Sequence, residues 1–157
     1  MPPLRRKAVN VLVVYDSIYG NTRAVALAMG QAIPGGASVR HVSEVTPGDL
    51  EDADLLFVGS PTHGALPTEA VQALVEKLGA PTHSGSRAAA FDTRLTWPFL
   101  ERWGGFAADK LAGKLTEKGW ALAGAPAGFF VKGLRKGPLK PGEADRAAAW
   151  ARRLVES

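Results

Sequence analysis

The sequence predicts an α/β fold, one three-layer sandwich with a parallel sheet between two layers of helices. Short runs of β-branched and aliphatic residues alternate with stretches of helical periodicity, the order that parallel βαβ units produce. The runs at residues 8–15 (AVNVLVVY) and 54–59 (DLLFVG) are almost wholly apolar, as strands covered on both faces must be. A chain of 157 residues, 46% hydrophobic and 22% charged, suits a single globular domain large enough to bury a core.

Residues 1–7 read as a basic, Pro-containing lead that is expected to be mobile, and residues 8–157 as the domain. After the first strand at 8–15, residues 22–33 carry Val25, Met29, Ala32 and Ile33 on one helical stripe, stopped by Pro34-Gly35-Gly36. Residues 37–42 form a second strand. A turn at Pro47-Gly48 and a short helical piece lead to the third, at 54–59. Pro67 is placed in a first helical turn, followed by Val71, Leu74, Val75 and Leu78 at i, i+3, i+4, i+7, with Gly79 as the stop. Residues 87–91 (RAAAF) make a weaker fourth strand, and Ala108, Leu111, Ala112 and Leu115 repeat the helical spacing before Gly119. Residues 120–123 and 129–131 read as strand pieces. Ala147, Trp150, Ala151 and Leu154 mark a final amphipathic helix, so Trp120 and Trp150 are expected in the core.

Composition excludes several chemistries. Without Cys there is no disulfide, thiolate nucleophile, iron–sulfur cluster or Cys-ligated zinc, and His41, His63 and His83 are too dispersed for a local ligand pair. No metal site is expected. No apolar run approaches the ~20 residues of a membrane-spanning helix, so no membrane partner is expected. The start imitates a secretory leader, but Asp16 ends the apolar stretch and no small-x-small cleavage site follows; a cytoplasmic location is expected. The formal net charge is +4, with Lys132, Arg135, Lys136 and Lys140 clustered and Arg152 and Arg153 farther on. These lack interleaved aromatics or a nucleic-acid motif, so nucleic acid is not an expected partner.

In a parallel sheet, ligands bind beyond the carboxyl ends of the strands, which points to the loops after Tyr15, Gly59 and Phe91. The first, Ser17-Ile18-Tyr19-Gly20-Asn21-Thr22, offers the Ser17 and Thr22 hydroxyls, an Asn amide and backbone N–H groups at a helix N-terminus. That is an anion cradle assisted by the helix dipole. It holds no Lys or Arg before Arg23, which suits a phosphomonoester bound by neutral donors. It is neither Gly-x-x-x-x-Gly-Lys-Ser/Thr nor Gly-x-Gly-x-x-Gly, so a P-loop NTPase is excluded and dinucleotide binding loses its main signal. The competing reading is an ordinary polar turn with a helix cap.

Residues 13–26 (VVYDSIYGNTRAVA) resemble the N-terminal signature of the flavodoxins: apolar pair, aromatic, x, Ser/Thr, two residues, Gly, x, Thr, three residues, Ala. Met29 stands where that family usually has a branched aliphatic residue. The resemblance extends in strand–helix order over the whole chain, and the length is that of the short-chain members. It implies a flavodoxin-like sandwich with a five-stranded parallel sheet of order 2-1-3-4-5. It also implies non-covalent FMN, its 5′-phosphate held by Ser17, Ile18, Tyr19, Gly20, Asn21 and Thr22.

By the same resemblance the other two loops hold the flavin ring. Pro61, Thr62, His63 and Gly64 cover its inner face. Gly64 either turns its carbonyl toward flavin N5 or only permits a tight turn. His63, near the position of a stacking Trp in many relatives, either meets the flavin or faces solvent. Asp92, Thr93 and Arg94 lie at the pyrimidine edge, and Trp97 is either an outer-face aromatic or a core lid. Arg94 departs from the family's neutral or acidic pattern. Either it approaches flavin N1 and favours the anionic reduced form, or it pairs with Asp92 or Glu101.

The function implied is an FMN electron carrier between redox partner proteins, with no catalytic side chain and a basic face suited to an acidic partner. The alternative is an NAD(P)H-dependent FMN or quinone reductase on the same fold, for which the chain shows no evident nicotinamide site. A phospho-receiver would need an acidic cluster after the first strand, where Asp16 stands alone, and an Asp where Ser60 ends the third.

Overall fold

The strand β1 (Val11–Tyr15) buries all five of its residues. Successive side chains of a strand point to opposite faces, so a strand apolar at every position must be covered on both. Val11, Val13 and Tyr15 enter one core, and Leu12 and Val14 the other. The computed structural model describes residues 9–62, 65–95, 105–132 and 137–157. The lead at 1–7 lies outside them.

The elements follow as α1 (Asn21–Ala32), β2 (Ser38–His41), α2 (Pro47–Asp52), β3 (Leu55–Pro61), α3 (Glu69–Lys77), β4 (Arg87–Leu95), α4 (Ala107–Glu117), β5 (Ala121–Leu122), β6 (Ala127–Val131) and α5 (Glu143–Glu156). The sheet runs β2-β1-β3-β4-β5, and β6 also lies beside β4. Every pairing between these strands is parallel. The fifth position is thus one strand in two pieces, β5 against the start of β4 and β6 against its end. Helices α1 and α5 cover the face of Val13, Phe57 and Phe91, and α3 and α4 that of Val14, Val58 and Ala90. On the first face Trp150 sits edge-on to Phe57, Phe91 and Phe129, with ring centroids 5.4, 6.3 and 5.9 Å away. Gly59 makes room for this cluster, since a Cβ there would collide with the Phe91 ring. Trp120 is buried too, and its indole N–H donates to the Gly79 carbonyl at 3.0 Å.

Boundaries move where capping decides them. Thr46 and Asp49 form a reciprocal capping box, so α2 begins at Pro47 itself rather than after a turn. Thr68 caps α3, which leaves Pro67 ahead of the helix instead of in its first turn. The largest change is β4, which runs on to Leu95 because β3 and β6 both continue to pair with it.

The open side of β6 is covered by polar groups rather than by another strand, which blocks edge-to-edge association. The Glu143 carboxylate accepts from the Phe130 N–H at 2.7 Å, and Arg146 donates to the Gly128 carbonyl while holding Glu143. The returning chain adds Lys140 N–H to the Phe130 carbonyl at 2.9 Å and Lys132 N–H to that of Pro138 at 2.8 Å. The Arg146 guanidinium, above all, holds the Glu143 carboxyl below its ordinary value of 4.5, with the Phe130 N–H helping. A carboxyl whose folded pKa is depressed stabilises the fold above its unfolded value and loses that contribution as pH falls through the lower one. Between about pH 6 and pH 3, urea unfolding of the wild type should therefore lose more stability than that of Glu143→Gln. Parallel curves would remove this carboxylate from the account.

Candidate functional site

The loop after β1 turns into α1 through Gly20, whose φ of 90° is open to a residue without Cβ. The N-cap residue, Gly20, has no side chain with which to cap the helix. The Ser17 hydroxyl accepts from the Gly20 N–H of the loop at 3.0 Å and from the Arg23 N–H of the first helical turn at 3.4 Å, so two amides converge on one oxygen. That convergence, at the positive end of a helix of 12 residues, is the geometry an anion requires. Ile18 and Tyr19 are exposed. Asn21 and Thr22 are committed inward: Asn21 Nδ2 donates to the Gly137 carbonyl at 2.7 Å, and the buried Thr22 hydroxyl lies 2.8 Å from that of Thr93.

Asp92, Thr93 and Arg94, read from sequence as loop, are strand residues at the end of β4. Positions two apart on a strand share a face, so the Asp92 carboxylate and Arg94 guanidinium meet in a bidentate pair at 2.6 and 2.8 Å. Asp92 is fully buried and also accepts from the Ala108 N–H at 2.9 Å, at the start of α4. Arg94 lies over the Phe106 ring, 3.6 Å from its centroid, and across Gly128, where any side chain would collide with it. Of the two readings of Arg94, the geometry matches the pairing with Asp92, in the interior rather than at the surface. Burial pushes the Asp92 carboxyl up, against the pull of Arg94, the Ala108 N–H and the Thr62 hydroxyl.

Pro61 is the last residue of β3, and Thr62 continues beside β4, its N–H donating to the Thr93 carbonyl at 3.0 Å. Thr62 Oγ1 accepts from the Ala107 N–H at 3.1 Å. The buried Ser60 hydroxyl, singled out only for what it lacks as a receiver residue, closes the base of the second loop by accepting from the Thr68 N–H at 3.0 Å. Ala65 takes a φ of 68°, a left-handed conformation that costs a residue with a Cβ about 1–2 kcal/mol and collects at functional loops. His63, Gly64, Trp97, Glu101, Arg135 and Lys136 lie outside the described residues.

Between the first two loops opens a cavity of about 660 Å³, lined by Asp16, Ile18, Leu66, Pro67, Thr68, Glu69, Ala70 and Gln72. It sits where strand order reverses between β1 and β3, the place at which open α/β sheets bind ligands. Among the described residues its walls carry no Lys or Arg. Pairing of Arg94 with Asp92 is one of the two sequence readings, but the burial of the pair at the end of a strand is not. One contact escaped sequence reading: His41 reaches Asp16 only because β2 lies beside β1, with Tyr15 opposite His41.

A parallel sheet of order β2-β1-β3-β4-β5 with helices on both faces is a flavodoxin-like α/β fold. Residues 12–84 match the family model of a flavodoxin domain. The fold is shared with oxidised flavodoxin 1 from Bacillus cereus at a TM-score of 0.74 and 18% identity, covering 94% of this chain and 97% of that one. A WrbA-like flavodoxin from Agrobacterium tumefaciens superposes at 0.72 and 16% identity, covering 95% and 96%. Rubredoxin oxygen:oxidoreductase from Desulfovibrio gigas superposes at 0.74 and 18% identity, but there this chain's 94% spans only 35% of the partner structure. No curated protein matches the sequence significantly. The resemblance seen in residues 13–26 therefore holds for the fold as a whole.

Arg94→Met would leave a fully buried carboxylate without its guanidinium, and should cost about 3–5 kcal/mol of unfolding free energy at neutral pH. With its folded pKa raised further above the unfolded value, Asp92 would then destabilise progressively as pH rises through that value, so the deficit shrinks in acid. Denaturant unfolding of this variant and of Asp92→Leu/Arg94→Met, which should recover much of the loss, checks both parts.

Proposed function

We propose that the protein binds FMN non-covalently and passes electrons between redox partner proteins. The observation that carries the reading is the convergence of the Gly20 and Arg23 amides on one oxygen at the start of α1, beside the cavity at the strand-order reversal. The residues fit the group. An anion site of N–H donors adjoins a cleft of about 660 Å³ lined in part by exposed Ile18 and Leu66, within the 300–1,000 Å³ common for cofactor sites.

In this reading Ser17, Ile18, Tyr19, Gly20, Asn21 and Thr22 enclose the phosphate. Pro61, Thr62, His63 and Gly64, with Asp92, Thr93, Arg94 and Trp97, frame the ring. FMN supplies the redox chemistry; the chain supplies binding, orientation and electrostatics. Because Asp92 neutralises Arg94, the third loop brings no net charge to the ring from that pair. No described helix is long and apolar enough to cross a membrane, and we place the protein in the cytoplasm. The net charge of +4 favours partners that dock through an acidic face.

Titration of FMN with the protein, followed by quenching of flavin fluorescence, should show saturable binding. Ser17→Ala and Thr22→Ala should each weaken it by about 1–3 kcal/mol, the range for hydrogen bonds to a charged group. Unchanged affinity in both would contradict the cradle. Anaerobic reduction of the loaded protein should then proceed in two separable one-electron stages. A single two-electron stage, with oxidation of NAD(P)H, would instead indicate a reductase.

A further inference from the structure

We propose that His41 is a positioning residue for the anion-binding loop, acting through Asp16. The inference rests on residues 17–22 being that loop, and it adds a side chain from a different strand. His41 ends β2 opposite Tyr15, whose ring it meets edge-on with centroids 5.5 Å apart. Its Nε2 lies 3.1 Å from Asp16 Oδ1, and the same oxygen accepts from the Ser17 N–H at 2.8 Å. One carboxylate oxygen thus joins the imidazole to the first amide of the loop.

The proton on the ring can be placed. Nδ1 accepts from the Ser43 N–H at 3.1 Å, and a backbone amide can only donate. Nδ1 therefore carries the lone pair, leaving the proton on Nε2, aimed at Asp16. The Ser43 hydroxyl, 2.7 Å from Nδ1, helps to fix the ring. Asp16 also lines the cavity beside the loop. Freed from His41, its carboxylate could turn into that space, where its charge opposes a phosphate. Held by His41, it gathers the Ser17 N–H and so keeps the Ser17 hydroxyl at the focus of the Gly20 and Arg23 amides. A neutral donor is all this requires, so a glutamine amide should serve where alanine does not.

FMN and riboflavin, which lacks the phosphate, are each titrated against wild type, His41→Ala and His41→Gln by flavin fluorescence. His41→Ala should weaken FMN about tenfold, the effect of one lost hydrogen bond, and leave riboflavin within about twofold. His41→Gln should stay within about threefold of wild type for both. Unchanged FMN affinity in His41→Ala, equal losses for both flavins, or a glutamine variant as weak as the alanine one would each overturn the proposal. Should wild type itself fail to bind FMN, the proposed function falls, and the positioning is read in the free protein from amide hydrogen exchange at Ser17 and Gly20. Faster exchange in His41→Ala alone supports it; equal rates in all three proteins overturn it.

Discussion

The buried hydroxyl pair of Thr22 and Thr93, 2.8 Å apart, joins the start of α1 to the end of β4, and the arrangement of the carboxyl edge hangs on it. Strands buried on both faces leave polar side chains almost nowhere but at their ends. There each polar group must find another, because an unsatisfied buried one costs about 1–3 kcal/mol. Thr62, Asp92, Arg94 and Ala108 complete the same set of contacts, so the three loops that follow β1, β3 and β4 share one hydrogen-bonded floor.

That arrangement bears on how charge is handled. The chain is cationic overall, yet the carboxylates of Asp16 and Glu69 line the cavity, and Arg94 is consumed by Asp92. Among the described residues of the first loop and the cavity wall, an anion at the α1 terminus would therefore be met by backbone dipoles and hydroxyls. Dipoles fixed in the scaffold need little reorganisation when charge arrives. The acidic lining makes the placement of each carboxylate consequential, and the contact of His41 with Asp16 is the structure's means of placing one of them.

Much of the fold was legible because its signals are local and repeated. The all-apolar β1 and β3, the i, i+3, i+4, i+7 pattern in α3 and the stripe of Ala147, Trp150, Ala151 and Leu154 name their elements by period alone. The first loop was legible because its hydroxyls, Gly20 and the helix that follows lie within a few residues. The end of β4 was not: Asp92, Thr93 and Arg94 look like loop residues, and only the neighbouring β3 and β6, with a carboxylate–guanidinium pair that closes on itself, carry the strand through them. Ser60, His41 and Glu143 act on residues brought near by topology, and no spacing along the chain marks such contacts.

The most direct test is an amide-resolved NMR titration of the protein with FMN. The account predicts that the largest shifts fall on Ser17, Gly20, Asn21 and Thr22, with further ones at Thr62 and Leu95. Residues at the other end of the sheet, such as Asn10, Ser38 and Ala53 around the cavity there, should stay still. Shifts concentrated at that opposite cavity, or none at saturating FMN, would contradict it.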